Sequence, residues 1–77
     1  MENKQNQLTI QGSYVGKIVF FERETGCIPA GSVCYCYQPS DDRDFIWVNF
    51  KYPILGRNAI KLHIKVLLKH GKIIDEV

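Results

Sequence analysis

The stretch Ile28-Pro29-Ala30-Gly31-Ser32-Val33-Cys34-Tyr35-Cys36-Tyr37 limits the fold more than any other part of the chain. Proline fixes φ and glycine permits a positive φ, so Pro29-Ala30-Gly31 predicts a type II turn. An unbroken run of strand-favouring residues follows at once. Successive strand side chains point to opposite faces, which puts Val33, Tyr35 and Tyr37 on one side and Cys34 and Cys36 on the other. The turn sets this strand's register, and a slip of one residue would reverse both faces.

Two further strands are written in the same style. Tyr14 to Glu22 is β-branched and aromatic, with Ile18 and Phe20 on one face and Val19 and Phe21 on the other. A half-exposed strand alternates apolar with polar residues; this one is apolar on both sides, so both sides want cover. Asp44 to Phe50 carries Ile46, Val48 and Phe50 on one face and Phe45, Trp47 and Asn49 on the other. The short acidic connection Pro39-Ser40-Asp41-Asp42 predicts an antiparallel hairpin between the second and third of these strands. Leu8-Thr9-Ile10 is a candidate short strand ahead of them, and Tyr52-Pro53 through Gly56-Arg57-Asn58 reads as a further break.

The last third supports two patterns. Ile60, Leu62, Ile64 and Val66 alternate with Lys61, His63 and Lys65, a period of two. Ile60, Ile64, Leu67 and Leu68 also fit a helical period, with Asn58 as N-cap and Gly71 just past the end. The β-branched content favours a strand over 59–64, a helical turn near 65–70 and a strand over 72–76. The alternative is an α+β chain, an antiparallel sheet plus a C-terminal helix over 59–70.

The expected fold is therefore mainly β, a small five-stranded barrel with one short helical turn before the last strand. Residues 1–7 read as a flexible polar lead and residues 8–77 as one small barrel domain. The strand Gly16-Lys17-Ile18-Val19-Phe20, the turn Ile28-Pro29-Ala30-Gly31-Ser32 and the helical turn Leu67-Leu68-Lys69-His70-Gly71 together resemble SH3-like small barrels of bacterial and phage proteins. The resemblance spans residues 14–77 and implies a closed barrel. Members of that class bind proteins, bind nucleic acids or serve as structural modules, so a bacterial or phage accessory protein is an expectation it raises.

The three cysteines, Cys27, Cys34 and Cys36, are odd in number in a chain whose start is polar and has no apolar leader pattern. Reduced cysteines and a cytoplasmic location are the expectation. No apolar run approaches the ~20 residues of a membrane span. Cys34-x-Cys36 places two thiols on one strand face, whereas structural zinc sites set their cysteines two to four residues apart on turns. We therefore expect no metal and no cofactor. No motif pairs a cysteine with a histidine base, Asp41, Asp42 and Asp44 sit in a turn, and no glycine-rich phosphate loop occurs, so no catalytic residues are assigned and the chain is not expected to be an enzyme.

Charge is segregated, although the net value is only +2. Residues 51–72 hold Lys51, Arg57, Lys61, Lys65, Lys69 and Lys72 and no acid. Three strands bulky on both faces also exceed what one small interior can hold. Tyr35, Tyr37, Phe45, Trp47 and Phe21 are therefore the expected partner-binding residues, since exposed aromatics mark interfaces. This predicts a non-catalytic protein–protein interaction module, a small adaptor or inhibitor that also has the means to form a homodimer. The alternative is a nucleic-acid-binding barrel using Lys51, Arg57, Lys61, His63, Lys65 and Lys69, with aromatics as stacking platforms.

Overall fold

A computed structural model describes residues 11–76, the last two through their backbone only. The predicted strand at Leu8-Thr9-Ile10 and the lead at 1–7 lie outside the described residues. The elements run β1 (Lys17–Phe21), β2 (Ser32–Pro39), β3 (Phe45–Ile54), β4 (Arg57–His63), α1 (Ile64–His70) and β5 (Gly71–Glu76). All pairings are antiparallel, in the order β4-β3-β2-β1-β5. The chain is thus mainly β, with one short helix before its last strand, and the single helix over 59–70 does not form.

The sheet is not closed into a barrel. Its two ends, β4 and β5, share no ladder among the described residues. Helix α1 packs on both of these strands instead, and its Leu67 is fully buried in the core. A helix with one buried leucine covers this end of the core, so the backbone pairing that would close the sheet is replaced by side-chain packing.

The core lies on one face. Val19 and Phe21 of β1, Cys34 and Cys36 of β2, and Ile46, Val48 and Phe50 of β3 are all buried there. The rings of Phe21 and Phe50 meet at 6.3 Å, tilted by 37°, within the range at which aromatic pairs attract. Tyr14 and Ile28 add bulk from the segments on either side of β1. Phe21 is corrected by this packing. It is a core residue with no exposed surface, and Phe20 is the ring that β1 turns to the other face.

The turns follow backbone chemistry. Gly31 has φ +87°, and Ser32 N–H donates to the Pro29 carbonyl at 3.2 Å, so the predicted type II turn forms with glycine at its third position. Gly31 N–H also reaches the Phe21 carbonyl at 2.7 Å and ties the turn to the end of β1. Between them the loop folds back on itself: Thr25 and Ile28 exchange two backbone hydrogen bonds of 2.8 Å, with Gly26-Cys27 at the tip.

The break expected from Tyr52-Pro53 onward is narrower than predicted. β3 continues to Ile54, and only Leu55-Gly56 turns the chain into β4. Pro53 is tolerated because the β3–β4 register shifts between Asn49 and Ile54, where no ladder donor is required of it. In that gap the side-chain amide of Asn58 donates to the Phe50 carbonyl at 3.1 Å. Asn58 is a strand residue here and caps no helix.

The cap of α1 is His63, in extended conformation, whose Nδ1 accepts from Lys65 N–H at 3.1 Å. At the other end Gly71 has φ −87° and ψ 149°, ordinary extended backbone, and its N–H donates to the Leu67 carbonyl. Glycine is present there for space: a Cβ would lie 2.6 Å from Val19 Cγ1 and 2.9 Å from the Leu67 carbonyl oxygen.

Candidate functional site: the outer face of the sheet

The face opposite the core is built by cross-strand pairs. Ile18 stands opposite Tyr35, Phe20 opposite Val33, Tyr35 opposite Asn49, Trp47 opposite Lys61 and Phe45 opposite His63. Directly opposed residues share a face, so these side chains form one surface over β1 to β4. Tyr35 is 38% exposed, and Ile18, Phe20, Val33, Phe45 and Trp47 are half-buried. A shallow groove of about 250 Å³ runs past Ile18, Val33, Tyr35, Asn49 and Lys51.

At the β3–β4 end the surface becomes cationic. Lys61 Nζ lies 5.6 Å from the Phe45 ring centroid and 5.9 Å from that of Trp47, within reach of both π faces. The His63 imidazole meets Phe45 edge-on at 5.0 Å. Because His63 Nδ1 is an acceptor, its remaining proton sits on Nε2. Lys51 Nζ lies 5.7 Å from the ring of Tyr52, which is 73% exposed.

Of the residues chosen from sequence for partner binding, the outer face brings together Tyr35, Phe45 and Trp47. Tyr37 is half-buried at an irregularity of β2, where the register against β3 shifts between Cys36 and Gln38. Phe21 is excluded by burial. Of the basic set, Lys61 and His63 join the aromatic face, while Arg57 lies at the start of β4. Lys65 and Lys69 sit on α1, so the strand alternation Lys61-His63-Lys65 ends at His63. Phe20, Ile18 and Val33 complete the face and were not singled out by sequence. The missing information was the parity of β1, which a run apolar on both sides does not carry.

The cysteines divide in the same way. Cys34 and Cys36 are buried and Cys27 is exposed. The hydrogen bond with Cys36, reinforced by burial, holds the Cys34 thiol far above the usual thiol range. The same hydrogen bond pulls Cys36 down, against the effect of its own burial. Tyr14 is raised by burial and, to a lesser degree, by Cys36 beside it. Among the described residues no three His, Cys, Asp or Glu side chains converge as a metal ion would need. Among them, too, no helix is long and apolar enough to cross a membrane.

Comparison of the chain with protein families, with curated proteins and with solved structures gave no match.

Proposed function

We propose that the chain is a non-catalytic binding module, a small adaptor or inhibitor that acts by occupying the surface of a partner protein with the outer face of its sheet. The observation that carries this reading is the grouping of Tyr35, Phe45 and Trp47 on one partly exposed face. Tyrosine and tryptophan offer large contact area at low entropic cost, which is why they dominate binding hot spots. The order of the strands and the helix ahead of the last one are compatible with an SH3-like small barrel that has remained open. A bacterial or phage accessory role in the cytoplasm, with a homodimer as one use of the face, belongs to the same proposal.

The test is affinity capture from the native host, with Tyr35→Ala and Trp47→Ala as controls and light scattering to record mass. Loss of a partner, or of a dimer, in folded variants supports the reading. A partner retained by both variants refutes it.

One observation favours a second reading, nucleic-acid binding. The Lys61 ammonium shares its face with the Phe45 and Trp47 rings, and single-stranded nucleic acids are held by cations beside stacking platforms. Binding of random oligonucleotides that weakens steeply with salt would support it. No binding at low salt would remove it.

A further inference from the structure

Strand β4 is an open edge with a groove beside it. No described strand pairs with its far side. The groove, about 550 Å³, is lined by Cys27 at the loop tip, Trp47, Ile54, Leu55, Ile60 and the edge residues Arg57, Ala59 and Lys61.

The backbone of this edge is directional. Ile64 N–H donates to the Asp44 carbonyl at 2.8 Å. Hydrogen-bonded and non-hydrogen-bonded pairs alternate along an antiparallel ladder. In this register the bonded pairs are then Ile46 with Leu62 and Val48 with Ile60. The N–H and C=O groups of Ala59 and Lys61 consequently point away from β3, toward the groove. Side chains alternate as well: Ala59 and Lys61 flank the outer face, while Ile60 and Leu62 pack against the core. The groove's walls carry Arg57 and Lys61 and no carboxylate among the described residues.

We propose that this edge takes up an extended acidic peptide segment of a partner protein as an added strand. The added strand hydrogen-bonds to Ala59 and Lys61. Its acidic side chains lie beside Arg57 and Lys61, and the intervening apolar ones lie beside Ile60. Main-chain pairing supplies affinity and the alternating side chains supply selectivity, as in other strand-addition complexes. The inference rests on the partner-binding reading above and names the kind of partner segment bound at the cationic end of the same face.

The probe is a synthetic peptide alternating glutamate with valine, titrated into the full chain. Two signals report on it: fluorescence of Trp47, the single tryptophan, and protection of Cys27, the exposed cysteine, from maleimide. Saturable binding that shields Cys27 and weakens with salt is expected, with no binding of the lysine-for-glutamate peptide. Lys61→Glu should weaken binding about tenfold, and so should N-methylation of the peptide backbone, which removes its donors. Ala59→Pro should do the same by deleting one outward N–H; if that variant fails to fold, the N-methylated peptide decides the point. Equal binding of the acidic and basic peptides, or indifference to N-methylation, overturns the inference, and so does absence of binding. Tyr35→Ala separates the two claims. A native partner lost with Tyr35→Ala from a chain that ignores the acidic peptide leaves the aromatic-face reading standing and sinks the edge.

Discussion

The side-chain amide of Gln11 lies 2.6 Å from the Phe45 carbonyl oxygen, a hydrogen bond between residues 34 positions apart. The same nitrogen faces the carbonyls of Asp42 and Ser40 at 3.3 and 3.4 Å. Gln11 is only 7% exposed, so a segment before β1 reaches across to pin the connection between β2 and β3. That connection also holds itself: Ser40 Oγ donates to the Asp42 carbonyl, and Asp42 Oδ1 accepts from Asp44 N–H. Gln11→Ala should cost about 1 kcal/mol, the usual net worth of a hydrogen bond such as this part-buried one to Phe45. Urea unfolding checks this, with an unchanged slope and a lower midpoint expected. Gln11→Glu should be worse, because a carboxylate would face the same oxygens.

Gly71→Ala should destabilise by about 1–3 kcal/mol, the range for overpacking. The inserted methyl would meet Val19 Cγ1 at 2.6 Å. Since the clash is shared, Val19→Ala in the same chain should recover part of the loss. A double-mutant cycle measures the coupling; strict additivity would show that the two sites do not touch.

Removing the helix cap should cost about 1 kcal/mol. In His63→Ala the Lys65 N–H loses its acceptor, and the Phe45 ring loses its edge-on neighbour. His63→Asn restores an acceptor but not the ring, so it should recover only part of the melting temperature. Equal melting of the alanine and asparagine variants would deny the cap any role.

Leu55 has φ +52° and is followed by Gly56 at +78°. Both central residues of this two-residue hairpin turn therefore have positive φ, as a type I′ turn requires, and leucine is a poor choice for the first of them. Leu55→Asn should raise stability by about 1 kcal/mol, since a side chain bearing Cβ is disfavoured in this region and asparagine less so. The leucine is also 84% exposed and lines the β4 groove. A gain in stability paired with weaker peptide binding would show that the strained residue is retained for contact.

Cys27 should react with a thiol reagent in the native chain, while Cys34 and Cys36 should react only on unfolding. A linkage effect follows from Cys34. Its folded thiol keeps its proton, through the hydrogen bond with Cys36 and burial, whereas an unfolded thiol ionises near pH ~8.5. Above that pH the folded state binds more protons than the unfolded one, so stability falls as pH rises. Cys36, held below the usual thiol range, acts only under that pH, where it makes stability rise with pH. Urea midpoints should decline from about pH 8.5 to 10, and Cys34→Ala should flatten the decline.

Much of the fold could be read from local pattern. Lys61 and His63 alternate with Ile60 and Leu62, which announces β4, but the alternation runs on through Ile64 and Val66, already in α1, so it does not mark where the strand ends. The division of β2 into a cysteine face and a tyrosine face was legible in its alternation, but which of the two is buried was not; the structure buries Cys34 and Cys36 and leaves Tyr35 exposed. Phe21 was misplaced because Ile18-Val19-Phe20-Phe21 is apolar at every position, and parity then depends on pairing to β2 and β5. The alternation places His63 on a strand; it is that strand's last residue and also an acceptor for the helix, and histidine is not among the usual capping types. Gln11 could not be found at all, because a long-range hydrogen bond from a polar side chain leaves no periodic trace.

Between His63 and Gly71 the chain has no spare residue. The last residue of β4 caps the helix, and the first residue of β5 ends it. Connecting loops ordinarily absorb changes in length, but here none separates the helix from either strand. One residue added or removed between 64 and 70 must therefore rotate Leu67 out of the core or slide β5 along β1, which would bring a side chain rather than Gly71 against Val19. The spacing of this segment behaves as a ruler, and homologous chains of the same fold should keep its length while their turn at Leu55-Gly56 is free to grow.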